Sequence, residues 1–571
     1  LPHLPIGPTA TRAVISAACA FAFCLAISVT ATAAVVGAHG AVAAEHRLAS
    51  EAGVEILKNG GNAVDAAVAA SLVGGLVNPA SAGLGGGGFM IVYLADEGRA
   101  HAIDYREAAP GQATRDMYVG DGVVRNEAAT EGGLAVAVPG EPAGLELVLK
   151  RFGTMTMADV AAPALKMARY GFTIEAHLAR ALEKHRDALA ADPALAKEFL
   201  RPDGSAPKQG EVLARPGLAK TLDLLSREGA APFYEGEIAA KMVAAVQKAG
   251  GILTRSDLGQ YRVVQRPPVI VRYKQWQLVA MPPPSSGGGT IATALGVLGT
   301  YPLGDLGHNS STYLHLVAET MKAVFAERAA LYGDPDFVDV PLATLVSKGN
   351  IEKIRARFRS TRPVPPTEYG NVTTRPDSGT VHISVVDVHG NAVACTTSIN
   401  TSFGSKVGVP GTGIVLNNTM DDFSLRPGVP NVYGLVGSEA NSIAPGKRPL
   451  SSMSPTVILE NGKPRLVVGG SGGPLIITAT LQTILNNLEF SMSAEDSVGA
   501  PRIHHQWAPD RLFAEQELDE ATRKSLQRLG HDVRTSTFRA AVQAVELKEK
   551  DGSRELRAVS DARKGGVAAA Y

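Results

Sequence analysis

The stretch Ser378-Gly379-Thr380-Val381-His382-Ile383-Ser384-Val385-Val386-Asp387-Val388 changes character at its third residue. Upstream, residues 360–379 carry Pro363, Pro365, Pro366 and Pro376 among Ser, Thr, Gly and charged residues, the composition of an exposed, poorly ordered linker. Downstream, residues 380–388 alternate as a strand, turn at His389-Gly390-Asn391 and return through Ala392 to Ile399. A linker thus ends in Gly379 and a strand begins with Thr380. If the bond between them were cut, Thr380 would hold a hydroxyl and a free α-amine on one rigid residue. An α-amine titrates at about 7.7–8.0 and is the natural base for its own hydroxyl. The plainer reading is ordinary β-propensity, since Thr opens many strands without doing chemistry.

Outward from this point the chain reads as mixed α and β. Glu45–Asn59, Ala63–Val77, Glu175–Ala190, Ile238–Ala249 and Thr312–Tyr332 have helical periodicity. Met157–Ala168 also reads as helix, with Pro163 marking its first turn. Phe89–Leu94 reads as a buried strand. Further on come strands at Ser454–Leu459 and Arg465–Val468, a helix at Leu475–Leu488, and a hairpin of Ala541–Leu547 with Glu555–Val559. No internal repeat is present.

Lys plus Arg and Asp plus Glu both number 55, so the chain lacks the basic excess of a nucleic-acid binder. Two of its three cysteines, Cys19 and Cys24, lie in an N-terminal segment without charges from Ala13 to Ala38. That segment ends in Ala31-Thr32-Ala33, the small-residue spacing of a signal-peptidase site. Residues 1–33 therefore read as a secretory signal, or alternatively as a retained N-terminal anchor. Either implies an exported protein, periplasmic or secreted. Removal of the segment leaves Cys395 alone and no intrachain disulfide.

Two glycine motifs need sorting. Gly83–Gly88 satisfies the dinucleotide fingerprint, but a helix precedes it and a strand follows, the reverse of what a pyrophosphate cradle needs. A tight turn with close backbone packing is expected there. Gly469–Gly473 matches a serine-nucleophile elbow in a strand–helix context, and Asp510 and His531 follow in the order of a triad. The competing reading has these glycines offering backbone N–H groups as an oxyanion site, with Ser471 no nucleophile. His504-His505 has no ligand partner at metal-site spacing, so both are read as structural or hydrogen-bonding residues; no metal and no cofactor is expected.

The blocks Gly83–Glu107, Met281–Gly288, Tyr332–Phe337, Thr380–Asp387, Asn400–Gly404, Leu416–Phe423, Pro427–Gly434 and Lys447–Pro455 closely resemble the γ-glutamyltransferase (glutathione hydrolase) family. They occur in the family's order and span nearly all of the chain after about residue 40. The resemblance implies an α+β fold, the four-layer αββα sandwich of the N-terminal nucleophile hydrolases. It implies a precursor that cuts itself at Gly379–Thr380 into a large subunit, 34–379, and a small subunit, 380–571, which stay together as a heterodimer. It implies cleavage of γ-glutamyl amides such as glutathione through an ester on Thr380, with water, an amino acid or a peptide as acceptor.

Roles carried over by the resemblance fall on individual residues. Thr380 would be the nucleophile, Ser398 would stand where a second threonine supports it, and Gly472 and Gly473 would form the oxyanion pair. Arg106, Ser451 and Ser452 would hold the substrate α-carboxylate; Asp422 would hold its α-ammonium, and Asn400 would add a contact. Thr419 occupies the place of a Gln or Glu that touches the α-amine. Tyr433 lies in a lid-like loop, Pro427–Gly437. His382 shares a strand face with Thr380 and is a positioning or a core residue. Two alternatives stand beside this reading: an acylase of the same fold acting on glutaryl or cephalosporin amides, and an unprocessed, non-catalytic homologue.

Overall fold

A computed structural model describes residues 33–368, 379–536, 539–550 and 553–571. The signal segment except Ala33, and the linker from residue 369 to 378, lie outside it. In chain order the strands of the two large sheets are β1 (Val35–Gly37), β2 (Ala41–Ala44), β3 (Gly87–Leu94), β4 (Arg99–Tyr105), β5 (Val264–Arg266), β6 (Val269–Tyr273) and β7 (Trp276–Ala280). They continue with β8 (Val381–Val386), β9 (Ala392–Ser398), β10 (Thr456–Glu460), β11 (Lys463–Ser471), β12 (Ala541–Lys550), β13 (Ser553–Ser560) and β14 (Ala569–Ala570). One sheet runs β14-β2-β8-β9-β3-β4-β5 and the other β1-β13-β12-β11-β10-β7-β6, seven strands each.

Period-two alternation sends each strand's side chains to two different cores. Met90 and Val92 of β3 meet the helices α1 (Arg47–Lys58) and α2 (Ala63–Val77), whereas Phe89, Ile91 and Tyr93 face the other sheet. On the second sheet Ile458 packs on α3 (Gly287–Leu298), α4 (Ser311–Leu331) and α5 (Leu475–Glu489), and Val457 and Leu459 face inward. The result is the helix–sheet–sheet–helix sandwich that the resemblance implied. The sequence AVDAAVAASLVGGLV of α2 is apolar all round and every residue of it is buried, as its place inside a layer requires. Asn62 and Asp65 close its N-terminus as a capping box.

The central pair is β8 with β9. Val381 pairs with Thr397 and His382 with Thr396, so the register sets Thr380 opposite Ser398. Val381, Ile383 and Val385 join the helical core, leaving Thr380, His382 and Ser384 on the face between the sheets. The glycine run before β3 lets backbone approach this point. A Cβ on Gly86 would lie 2.1 Å from the Ser398 carbonyl oxygen, and one on Gly85 2.0 Å from that of Val415. The close-packing reading of that run holds.

Three expectations are corrected. Pro163 sits inside the helix Met157–Tyr170, whose start is set by the Thr156–Asp159 capping box. Glu175–Ala190 breaks at His185 into Ala176–Lys184 and Arg186–Ala191. The linker is not exposed throughout: Val364 is fully buried, its N–H donating to Glu319 and its carbonyl accepting from Lys322. The Trp507 indole also donates to the Pro366 carbonyl at 3.2 Å.

His382 fills the space that Gly469 of β11 leaves; a Cβ at 469 would lie 2.3 Å from the imidazole Cε1. Gly469→Ala should therefore cost about 1–3 kcal/mol through overpacking, read as a lowered denaturation midpoint.

Candidate active site

Thr380 is buried at the mouth of β8, and its hydroxyl donates to the carbonyl of Gly379. Ser398 lies across the strand pair, its Oγ 3.3 Å from the Thr380 hydroxyl and donating to the same Gly379 carbonyl at 3.0 Å. The Asn400 N–H donates to Ser398 Oγ at 2.8 Å. Asn400 takes a positive φ of 77°, and its side chain reaches the Asn418 carbonyl at 3.0 Å. Tyr433 closes over this point: its buried hydroxyl donates to the Asn400 carbonyl at 2.9 Å. The lid-like loop is held down further by the Val432 N–H on Asp421, at 3.1 Å.

A second group lies beyond Asn418. The Arg106 guanidinium is buried and pairs with Asp422, with Glu107 at 3.3 Å and with the Pro449 carbonyl at 3.2 Å. Burial works against its charge, yet the two carboxylates outweigh that and hold its pKa above the ordinary value. Burial likewise lifts Asp422 and Glu107, with Arg106 pulling both back. The Thr419 hydroxyl donates to Glu107 at 2.8 Å, so it turns toward that carboxylate. Ser451 and Ser452 sit against Met281–Gly288: the Ser286 hydroxyl donates to the Ser451 carbonyl at 2.6 Å. Arg328 of α4 donates to Ser286 Oγ at 2.9 Å and to Ser452 Oγ at 3.3 Å.

Gly472 and Gly473 leave β11 with positive φ of 130° and 58° and lead into α5. Ser471 just before them is fully buried, and its hydroxyl accepts from Lys564 at 2.6 Å. Lys564 in turn lies 3.6 Å from Glu45, whose other oxygen accepts from the His382 N–H. The two glycines thus depart at the end of β11 that lies near the start of β8. A Ser–Asp–His triad is not assembled: Asp510 pairs with His505 and Lys322, and His531 bonds His315. His382 touches Thr396 and Ser384 rather than Thr380, and burial pushes its pKa down to about 3, so it is a neutral interlayer residue. His504 bonds Thr478 and Gln506, and His505 accepts from the Trp507 N–H.

The sequence reading missed Glu107 as the partner joining Arg106 to Thr419, Arg328 behind the serine pair, and the Glu45–Lys564 pair behind Ser471. Apart from the adjacent Arg106 and Glu107, each lies far in sequence from what it touches, and charge alone marks none of them. It also missed the buried group His315, Glu319 and His531, whose ligand atoms lie within 4.8 Å of one another. That group is already satisfied: the histidines bond each other, and Glu319 holds Lys322 and the Val364 N–H.

A strand-borne threonine between two face-to-face sheets, with helices outside, places this chain among the N-terminal nucleophile hydrolases by fold. The structure of cephalosporin acylase from Bacillus halodurans superposes with a TM-score of 0.83 at 26% identity, covering 94% of this chain and 97% of that one. Helicobacter pylori gamma-glutamyltranspeptidase gives 0.55 at 37% identity, over 56% of this chain and 92% of that one. The glutathione hydrolase proenzyme of Escherichia coli (strain K12) is 40% identical over 527 residues, 92% of this chain and 90% of the relative. That of Pseudomonas sp. (strain A14) is 42% identical over 503 residues, 86% of each. Residues 49–571 match the profile described as Gamma-glutamyltranspeptidase, and the chain belongs to that enzyme family.

Arg106→Met would strand two buried carboxylates. It should lower stability by about 3–5 kcal/mol, measured by denaturant titration, and adding Glu107→Gln should recover part of the loss.

Proposed function

We propose that this protein is a γ-glutamyl transferase and hydrolase whose nucleophile, Thr380, is released by self-cleavage at Gly379–Thr380. The observation that carries the reading is the triangle of the Thr380 hydroxyl, the Ser398 hydroxyl and the Gly379 carbonyl at the start of β8. The Thr380 oxygen attacks the Gly379 carbonyl carbon while Ser398 donates to its oxygen. The C–N bond breaks, the nitrogen takes the proton, and an ester remains. Water hydrolyses the ester, leaving a carboxylate on Gly379 and a free α-amine on Thr380. The relatives' names as proenzymes support processing of a precursor.

In the mature enzyme the α-amine removes the proton from its own hydroxyl, and Thr380 attacks the γ-carbonyl of a γ-glutamyl amide such as glutathione. The Gly472 and Gly473 N–H groups receive the developing oxyanion, a contact worth about 2.7–4 kcal/mol per donor in such sites. The amine leaves with the proton, and water or an amino acid or peptide takes the γ-glutamyl group from the ester. Arg106, Ser451 and Ser452 hold the α-carboxylate, and Asp422 holds the α-ammonium with Asn400 beside it. Thr419 acts only through Glu107. Tyr433 keeps bulk water off the ester. Large (34–379) and small (380–571) subunits remain a heterodimer. Residues 1–33 direct export, to the periplasm or out of the cell, as a cleaved signal or a retained anchor; among the described residues no helix is long and apolar enough to cross a membrane.

The likeness to a cephalosporin acylase favours a second reading, hydrolysis of glutaryl-type amides. A glutaryl chain has no α-ammonium, so Asp422 separates the two.

A denaturing gel of purified protein should show two unequal fragments, and Thr380→Ala should give one full-length band; cleavage persisting in that variant would refute self-processing. Asp422→Ala should lower kcat/KM for a γ-glutamyl anilide by about 10- to 100-fold and leave a glutaryl anilide far less affected. Equal effects on both substrates would favour the acylase.

A further inference from the structure

Arg328 is a buried guanidinium, and among the described residues no carboxylate lies within ion-pair distance of it. An arginine in that condition is costly unless something else uses its charge. Burial lowers its pKa to about 10, and the charge of Asp422 is the largest effect opposing the shift. Its nitrogens go to hydroxyl oxygens, Nε to Ser286 at 2.9 Å and Nη2 to Ser452 at 3.3 Å.

Guanidinium nitrogens can only donate, whereas a serine hydroxyl can do either. The contact therefore turns a proton away from Arg328. Ser452 Oγ accepts from Arg328, which leaves its own O–H to donate elsewhere. The same logic holds for its neighbour: Ser451 Oγ accepts from the Met453 N–H at 3.1 Å, so its proton is also free to donate. Ser286 is oriented too, accepting from Arg328 while donating to the Ser451 carbonyl at 2.6 Å. Two hydroxyl protons and the Arg106 fork can then all donate, a pattern that suits a carboxylate better than a neutral amide.

We infer that Arg328 is a positioning and specificity residue: by donating to Ser452 Oγ it turns that hydroxyl's proton toward the α-carboxylate of the glutamyl group, and it supplies a second positive charge behind that carboxylate. This rests on the γ-glutamyl reading given above. Arg328 touches the substrate only through Ser452, so its effect belongs to recognition of one functional group.

The test compares three competitive inhibitors of γ-glutamyl anilide turnover. L-Glutamate has both α-groups, glutarate lacks the amine, and 4-aminobutanoate lacks the α-carboxylate. In Arg328→Met the inhibition constants of L-glutamate and glutarate should rise about 10- to 100-fold, and that of 4-aminobutanoate by less than about twofold. Arg328→Lys, which keeps the charge and loses the fork, should fall between, and it carries the same comparison if the Met variant does not accumulate. Ser452→Ala combined with Arg328→Met should be little worse than Ser452→Ala alone. A uniform rise for all three inhibitors, or full additivity in the double variant, would overturn the inference. If the unaltered protein turned over no γ-glutamyl anilide, the functional reading would fail by itself. Calorimetric titration of the same ligands would then still decide the role of Arg328.

Discussion

Which face of β8 looks into the space between the sheets decides everything at the site. A one-residue slip of its register would bury Val381 against the other sheet and turn Thr380 into the helical core. The slip is prevented from both sides. Val381, Ile383 and Val385 are held by the apolar helices, and His382 fits only against the missing side chain of Gly469. The direction of Thr380 is thus fixed by the packing of residues one to five positions further along the strand.

The polar part of the site is built on the opposite logic. Arg106 and Asp422, which meet opposite ends of a zwitterionic ligand in the proposed reaction, are paired with each other in the free protein. Each therefore enters binding already desolvated, and the ligand exchanges one buried pair for two. The cost of dehydrating the charges is met during folding, where Glu107 and Thr419 help to carry it. A site of this kind discriminates by requiring both partners at once, since a ligand with only one charged group breaks the pair and leaves a carboxylate or a guanidinium bare.

Much of this was legible in the sequence. The hairpin of β8 and β9, the all-apolar α2 and the terminal hairpin follow from periodicity and turn residues. The site residues came from motif blocks, because Arg106, Asn400, Asp422 and Ser452 each look ordinary alone. Their grouping was not legible, since Glu107 meets Thr419 across 312 positions of sequence. Arg328 was invisible for a related reason: it sits in a helix whose periodicity already explained it, and what sets it apart is that no carboxylate among the described residues pairs with it. Pro163 was misread because its residue type marks helix starts, whereas the Thr156–Asp159 box had already begun the helix a turn and more upstream. The buried Val364 shows the limit of composition, which saw prolines and could not see Glu319 and Lys322 waiting for one backbone unit.

The strand order has a consequence for ownership. With a break between residues 379 and 380, the first sheet would read small, large, small, small, large, large, large across β14-β2-β8-β9-β3-β4-β5. The second would begin with β1 from the large piece, continue with four strands from the small one, and finish with β7 and β6 from the large. Neither piece owns the whole of either seven-stranded sheet. The last residue, Tyr571, accepts backbone hydrogen bonds from Ala38, His39 and Gly40 at the far end of the other piece. The two stretches are woven as warp and weft through both seven-stranded sheets. Cutting such a cloth at one thread changes how many ends it has and leaves its weave in place.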